Sequence, residues 1–242
     1  MIKFKGLIKS ICLLVLLGLY STGYSQKKMY LAYEFGVSLH GANFKNPQQN
    51  VEYKQDVPPI PAFVFTRQLH QSWYIETGIY QGALGVNMTK KGEFDSTSVQ
   101  FAQEQVQVPL RVQSRVQVFD NHLHLFASLG ANVVFSSGGY TFTFTTAKNT
   151  TETLNKKLKY RPTYVLGELG VGFDLFLGKR FFIGGRYRFN LGFANVLDIA
   201  VSTLTNGENS VEEYFLTSSG SFHAFMLSLG FRIGKLDKVK KI

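Results

Sequence analysis

Five histidines carry most of the chain's capacity for proton transfer near neutral pH, because its one cysteine, Cys12, lies in the first twenty residues. His223 is the one to weigh first, since Ser221 precedes it by two residues and two residues is the repeat of one strand face. A serine nucleophile there would suit a hydrolase, and a lipid-modifying one were the strand to lie in a membrane. Such chemistry needs a base within hydrogen-bond reach and a third group that orients the base. No carboxylate matches His223 in depth and parity, so an interfacial histidine is the expectation. His40, His70, His122 and His124 are scattered and lack metal-ligand spacing. Asn149-Thr150-Thr151 has the form of a glycosylation sequon, to which no weight is given. The glycine-rich stretch 167–172 precedes no helix, which removes the phosphate-loop reading. No catalytic, cofactor or metal site is therefore expected, and the chain does not read as an enzyme.

A second set of residues has chemistry of another kind. Glu34, Arg111, Arg115, Glu168, Asp174, Arg186, Arg188 and Arg232 each sit at alternate positions within otherwise apolar stretches. Charges on one parity and apolar residues on the other call for ion pairing on a face sheltered from lipid, and that places demands on the elements around them.

Those elements are strands. In 163–195, Val165, Leu169, Val171, Phe173, Leu175 and Leu177 share one parity, while Glu168, Gly170, Gly172 and Asp174 share the other. After Gly178-Lys179-Arg180 the alternation resumes, with Phe181, Ile183, Tyr187 and Phe189 against Arg186, Arg188 and Asn190. Strands this long exceed the soluble mode of about 5–6 residues and suit a tilted membrane crossing of about 9–11 residues.

The same pattern recurs along the chain. Leu31 to Leu39 alternate with Ala32, Glu34, Gly36, Ser38 and His40. A polar loop spans 45–59 and ends in prolines, and a strand from Ala62 to Leu69 turns through 70–72 into another from Trp73 to Met88. Turns of two or three residues both fit there, leaving the register of the Ala62–Leu69 strand open. After a polar loop, 89–98, Val106, Val108, Leu110, Val112, Val116 and Val118 oppose Gln105, Gln107, Arg111, Gln113, Arg115 and Gln117. Asp120-Asn121 reads as a hairpin connection, and His122 to Phe135 follows with Leu123, Leu125, Ala127, Leu129, Ala131 and Val133 on one face. The loop 136–160 keeps an alternation at Tyr140, Phe142 and Phe144 that extends this hairpin. The loop 197–219 precedes a last strand, Ser221 to Ile233.

Three short turns alternate with four long loops over eight strands. That sorting predicts an all-β fold, an eight-stranded antiparallel transmembrane β-barrel of OmpA-like size with short periplasmic turns and long external loops. A soluble lipocalin-like barrel would bury the apolar parity instead. With the apolar parity facing lipid, the eight charges fall in a narrow lumen. Pairing Leu177 with Phe181 sets Arg186 opposite Gly172 and Arg188 opposite Gly170, with Asp174 and Glu168 on the diagonals, and Phe173 over Gly185 outside. Trp73, Phe119, Phe181 and Phe231 fit an aromatic girdle on the turn side; Phe44, Phe135, Tyr164 and Phe193 fit one on the loop side. Lysines of the third loop (Lys148, Lys156, Lys157, Lys159, with Arg161) and acids of the fourth (Asp198, Glu208, Glu212, Glu213) make these loops complementary neighbours.

Residues 1–25 have the three parts of a signal peptide: Lys3, Lys5 and Lys9, the apolar run 11–19, and Gly23-Tyr24-Ser25. Residues 26–234 form the barrel and 235–242 a basic periplasmic tail. Loss of three lysines takes the formal charge from +10 to +7 without a basic arm of the nucleic-acid-binding kind, so no nucleic acid partner is expected. The location is the bacterial outer membrane, with membrane lipid and lipopolysaccharide as surroundings.

Strand segments VQVPLRV and LFASLGANVVF, the RYRFNLGFANV segment and the final FMLSLGFRIG resemble the PorT-like outer-membrane β-barrel family of Bacteroidetes over the whole mature chain. The chain departs from common outer-membrane barrels by ending in a basic tail rather than an aromatic residue. The resemblance implies location and fold. Its best-known member is a secretion accessory, which makes envelope or secretion-complex proteins the partners to expect at loops 136–160 and 197–219. A structural or interaction role is the leading reading; a lipid-modifying enzyme or a small pore are the alternatives. An eight-stranded interior is just wide enough to be filled by side chains, which disfavours the pore.

Overall fold

The computed structural model describes residues 28–41, 43–45, 51–55, 57–91, 96–119, 122–136, 140–146, 151–205 and 211–233. The expected signal peptide, the basic tail and the Asp120-Asn121 connection lie outside them. Among the described residues there are fourteen strands and no helix: β1 (Met29–His40), β2 (Asn43–Lys45), β3 (Val51–Gln55), β4 (Pro59–His70), β5 (Trp73–Lys91), β6 (Ser96–Val118), β7 (Leu123–Ser136), β8 (Tyr140–Thr146), β9 (Thr151–Tyr160), β10 (Thr163–Leu177), β11 (Phe181–Gly192), β12 (Leu197–Thr205), β13 (Val211–Ser218) and β14 (Phe222–Ile233).

Eight of them close into one antiparallel barrel in the order β5-β4-β1-β14-β11-β10-β7-β6, with β6 returning to β5. Following one outward row around it fixes the geometry. From Ile233 the row passes through Met29, Arg67, Ile75, Val112, Leu129, Leu169 and Phe189 and returns to β14 at His223, ten residues from its start. A stagger of that size in eight strands demands the tilt of about 35–45° that closes a narrow barrel.

Parity then decides which face meets what. Leu169 is 56% exposed, Val171 55%, Leu229 61% and Phe63 65%, whereas Glu34 and Asp174 are 0% and Arg111 1% exposed. The apolar face is outside, which excludes the soluble barrel and leaves a band to be covered by lipid.

The short turns are Gln71-Ser72, the segment where the His122 amide reaches the Phe119 carbonyl, and Gly178-Lys179-Arg180. Gly178 there adopts φ 77°, which a side chain would strain. The Leu177–Phe181 register is the expected one and carries Arg186 opposite Gly172, Arg188 opposite Gly170 and Phe173 opposite Gly185. A Cβ on Gly185 would meet the Phe173 ring at 2.7 Å, so the aromatic does cover the glycine.

β4 settles the register left open by the sequence. A two-residue turn, with an irregularity between Gln68 and His70, sends Ile60, Ala62, Val64 and Thr66 inward. The strand begins at Pro59 rather than Ala62. Pro59 and Pro61 lie where β4 pairs with β1 but its ladder to β5 has ended, and proline is tolerated there as on an edge strand.

Beyond the barrel, the expected loops contain strands of their own. β8 continues the ladder of β7 along β6, and β3 pairs with β5, prolonging that side of the wall. β9 turns instead to β12, and with β13 and β2 forms a separate four-stranded sheet, β2-β13-β12-β9. The third and fourth loops are thus joined by a backbone ladder, which sets Lys159 opposite Asp198.

The lumen is layered. On the turn side Tyr30 lies 6.1 Å from Tyr74 and 6.0 Å from both Phe176 and Phe182. On the loop side Leu84, Val134, Leu166 and Phe222 are buried together with Val196, Leu197, Ile199 and Leu216 from the external hairpin. Tyr164 belongs to this inner layer and is 9% exposed, so it is not part of the loop-side girdle. Its even position on β10 points it inward.

Candidate functional site

Between the two apolar layers lies the feature that alternation built. Inward positions of β1, β5, β6, β10 and β11 bring four arginines (Arg111, Arg115, Arg186, Arg188) against four carboxylates (Glu34, Glu76, Glu168, Asp174).

Each acid is shared. Glu34 accepts from Arg188 Nη1 at 2.7 Å and Arg186 Nε at 3.1 Å. Asp174 joins Arg186 Nη2 at 2.5 Å and Arg115 Nη1 at 2.9 Å. Glu76 accepts from Arg111 Nη1 at 2.9 Å, Gln113 Nε2 at 2.6 Å and the Thr66 hydroxyl at 3.1 Å. Glu168 takes both Nε and Nη2 of Arg111, the latter at 2.8 Å, and the Asn132 amide at 2.7 Å. The fork of Arg111 on Glu168 is the bidentate geometry that arginine favours. Arg186 also donates to the Phe173 carbonyl at 2.9 Å.

Tyr80 sits at the junction. Its hydroxyl donates to Glu34 at 2.8 Å, accepts from Arg111 at 3.0 Å and also bonds Arg188. Arginine carbons stand over aromatic rings at the turn-side end of the network: Arg115 over Tyr74 at 4.7 Å and Arg186 over Phe126 at 4.5 Å. Equal numbers of opposite charges, all desolvated, offset a penalty that any one of them alone could not.

The expected lumen residues are thus placed as follows. Seven of the eight take part in these ion pairs, and Arg232 stands half-buried at the turn-side rim, opposite Tyr30. Gly170 makes room as anticipated, since a Cβ there would meet Ser128 Oγ at 2.5 Å and Arg188 Cγ at 3.4 Å. Opposite Arg186, the space at Gly172 is filled by the Phe126 ring instead. Glu76 and Tyr80, with Asn132, were missed, whereas Gln113 stands on the polar parity that the sequence assigned it. Ile75 and Ile79 on the outward parity of β5 are the signal that could have placed Glu76 inward, but Tyr74, Tyr80 and Leu84 make that inward face look apolar too.

A Tyr80→Phe variant keeps the ring and removes the shared hydroxyl. It is expected to cost about 1–3 kcal/mol of folding free energy, since three charged groups lose a buried partner. Equilibrium unfolding in vesicles measures it, and an unchanged midpoint would remove Tyr80 from the junction.

The histidines stay apart. His223 is exposed on the outer face, where its Nδ1 lies 2.7 Å from the Tyr187 hydroxyl. The Ser221 hydroxyl accepts from the Gly192 amide at 2.8 Å and contacts Ser219 Oγ at 2.8 Å, so it is engaged away from His223. His40 faces the lumen beside Ser38 at 3.0 Å, His124 packs 4.6 Å from the Phe176 ring, and His70 and His122 flank turns. Among the described residues, no group of three or more His, Cys, Asp or Glu is arranged to hold a metal.

A closed eight-stranded barrel with an apolar belt outside and a compensated ion network inside is the construction of an outer-membrane protein. The model of the outer membrane protein beta-barrel domain matches residues 24–198, and the chain belongs to that family. Its place is the bacterial outer membrane. Among solved structures, the outer membrane protein OprG from Pseudomonas aeruginosa is similar in fold, with 13% identity, a TM-score of 0.58 and coverage of 88% of this chain and 99% of that one. Ail of Yersinia pestis aligns with 11% identity and a TM-score of 0.44 over 86% of this chain and 100% of that one. Comparison with curated proteins found no match.

Proposed function

We propose that the protein is a non-enzymatic structural or interaction component of the cell envelope that works through its external strands, in its finer form a PorT-like accessory of protein secretion in Bacteroidetes. The observation that carries this reading is the lumen: four arginines and four carboxylates, nearly all bonded to one another, fill the middle of the barrel between apolar layers. A narrow interior so occupied is a structural plug rather than a transport path. Loops 136–160 and 197–219 supply β8, β9, β12 and β13, and these external strands are where envelope or secretion-complex proteins would dock.

Photo-crosslinking side chains introduced along 151–160 and 211–218 in living cells, followed by identification of the adducts, tests it. Recovery of defined envelope proteins is expected. Absence of any adduct at these strands, or unitary conductance steps from the purified barrel in planar bilayers, would overturn it.

A further inference from the structure

Arg67 breaks the rule that governs the outer face. Among the described outward positions of the closed barrel, on all eight strands, it is the one Lys, Arg, Asp or Glu; Glu104 lies beyond the β6–β7 ladder, which begins at Gln105. Its register explains neither a lumen nor a loop role. Arg67 pairs with Met29 on one side and Ile75 on the other, on the parity of Phe63, Phe65 and Leu69. No carboxylate bonded to it occurs among the described residues.

Its depth is telling. Arg67 is three residues from the end of β4, and Trp73, 51% exposed, lies two residues before Ile75 on the same outer face. Residues offset by two across a ladder sit within reach of long side chains. Trp73 therefore marks the membrane–water boundary of the periplasmic leaflet within reach of the Arg67 guanidinium. A half-buried arginine at that level suits a side chain that lies along the apolar wall and presents its charge to headgroups.

We infer that Arg67 and Trp73 form a site for the headgroup of an anionic glycerophospholipid of the periplasmic leaflet, with the phosphate on the guanidinium and the glycerol backbone against the indole. Phosphate oxygens supply the acceptors that the protein does not. The acyl chains then run up the Phe63 and Phe65 side of the wall. One basic residue at a membrane surface concentrates anionic lipid about fivefold.

Trp73 is the only tryptophan in the chain, so it reports on its own surroundings. The full barrel is folded into phosphatidylcholine vesicles holding a minor fraction of phosphatidylglycerol, with bromine on the chains of one lipid or the other. The ratio of quenching gives the composition next to Trp73. Enrichment of phosphatidylglycerol several-fold above bulk is expected for the wild type and for Arg67→Lys, falling to the bulk ratio in Arg67→Gln. Quenching at the bulk ratio in the wild type, or equal enrichment in Arg67→Gln, would overturn the site. Should Arg67→Gln not assemble, the wild type in about 1 M salt decides, because screening must abolish an electrostatic enrichment.

Discussion

Val171→Arg is expected to destabilise the barrel by about 2–4 kcal/mol, the cost of a cation on the lipid face near the bilayer midplane. Val171 lies near the middle of β10, 55% exposed, between Ala127 on β7 and Tyr187 on β11. Among the described neighbours on its face an arginine there finds no carboxylate, and it has no short route to either interface. Its neighbour Gly172 points the other way, into the lumen beside Phe126. Val171→Leu, which keeps the surface apolar, is expected to be nearly neutral. Urea-induced unfolding in vesicles, with heat-modifiable gel mobility as the assay of assembly, measures both. Equal stability of the two variants would mean that the belt is not where parity puts it.

That parity was legible wherever one face alone was apolar. β6, β7, β10 and β11 alternate cleanly, so their facing and the Leu177–Phe181 register followed from period and turn length. β4 and β5 did not yield in the same way, because Ile60, Ala62 and Val64 on one and Tyr74, Tyr80 and Leu84 on the other are apolar yet inward. They belong to the layers that seal the ion network. Glu76 was hidden among them, and with it a carboxylate that both Arg111 and Arg188 bind. The external sheet was illegible for another reason. β9 pairs with β12 and β2 with β13, partners far apart in sequence, and no local pattern encodes such a choice. What the third and fourth loops did show was charge of opposite sign, and Lys159 opposite Asp198 is consistent with that.

Arg186→Leu should cost about 3–5 kcal/mol, because it breaks a buried ion network from one side only. Arg186 holds Asp174 at 2.5 Å and Glu34 at 3.1 Å. Both acids keep a second arginine, Arg115 at 2.9 Å for Asp174 and Arg188 at 2.7 Å for Glu34, so neither is left bare. What is lost is balance: four carboxylates then face three guanidiniums in a space without bulk water. Asp174→Asn in the same chain restores equal charge while preserving shape, so the double variant should recover part of the loss. The coupling expected between such neighbours is about 0.5–3 kcal/mol. Arg186→Leu also removes the donation to the Phe173 carbonyl at 2.9 Å, a loss common to the single and the double variant that cancels in the coupling. Strictly additive losses would mean that Arg186 and Asp174 do not act as a pair. A rise in conductance in Arg186→Leu with unchanged stability would mean instead that the network gates a path, and the plug would have to be reread as a closed pore.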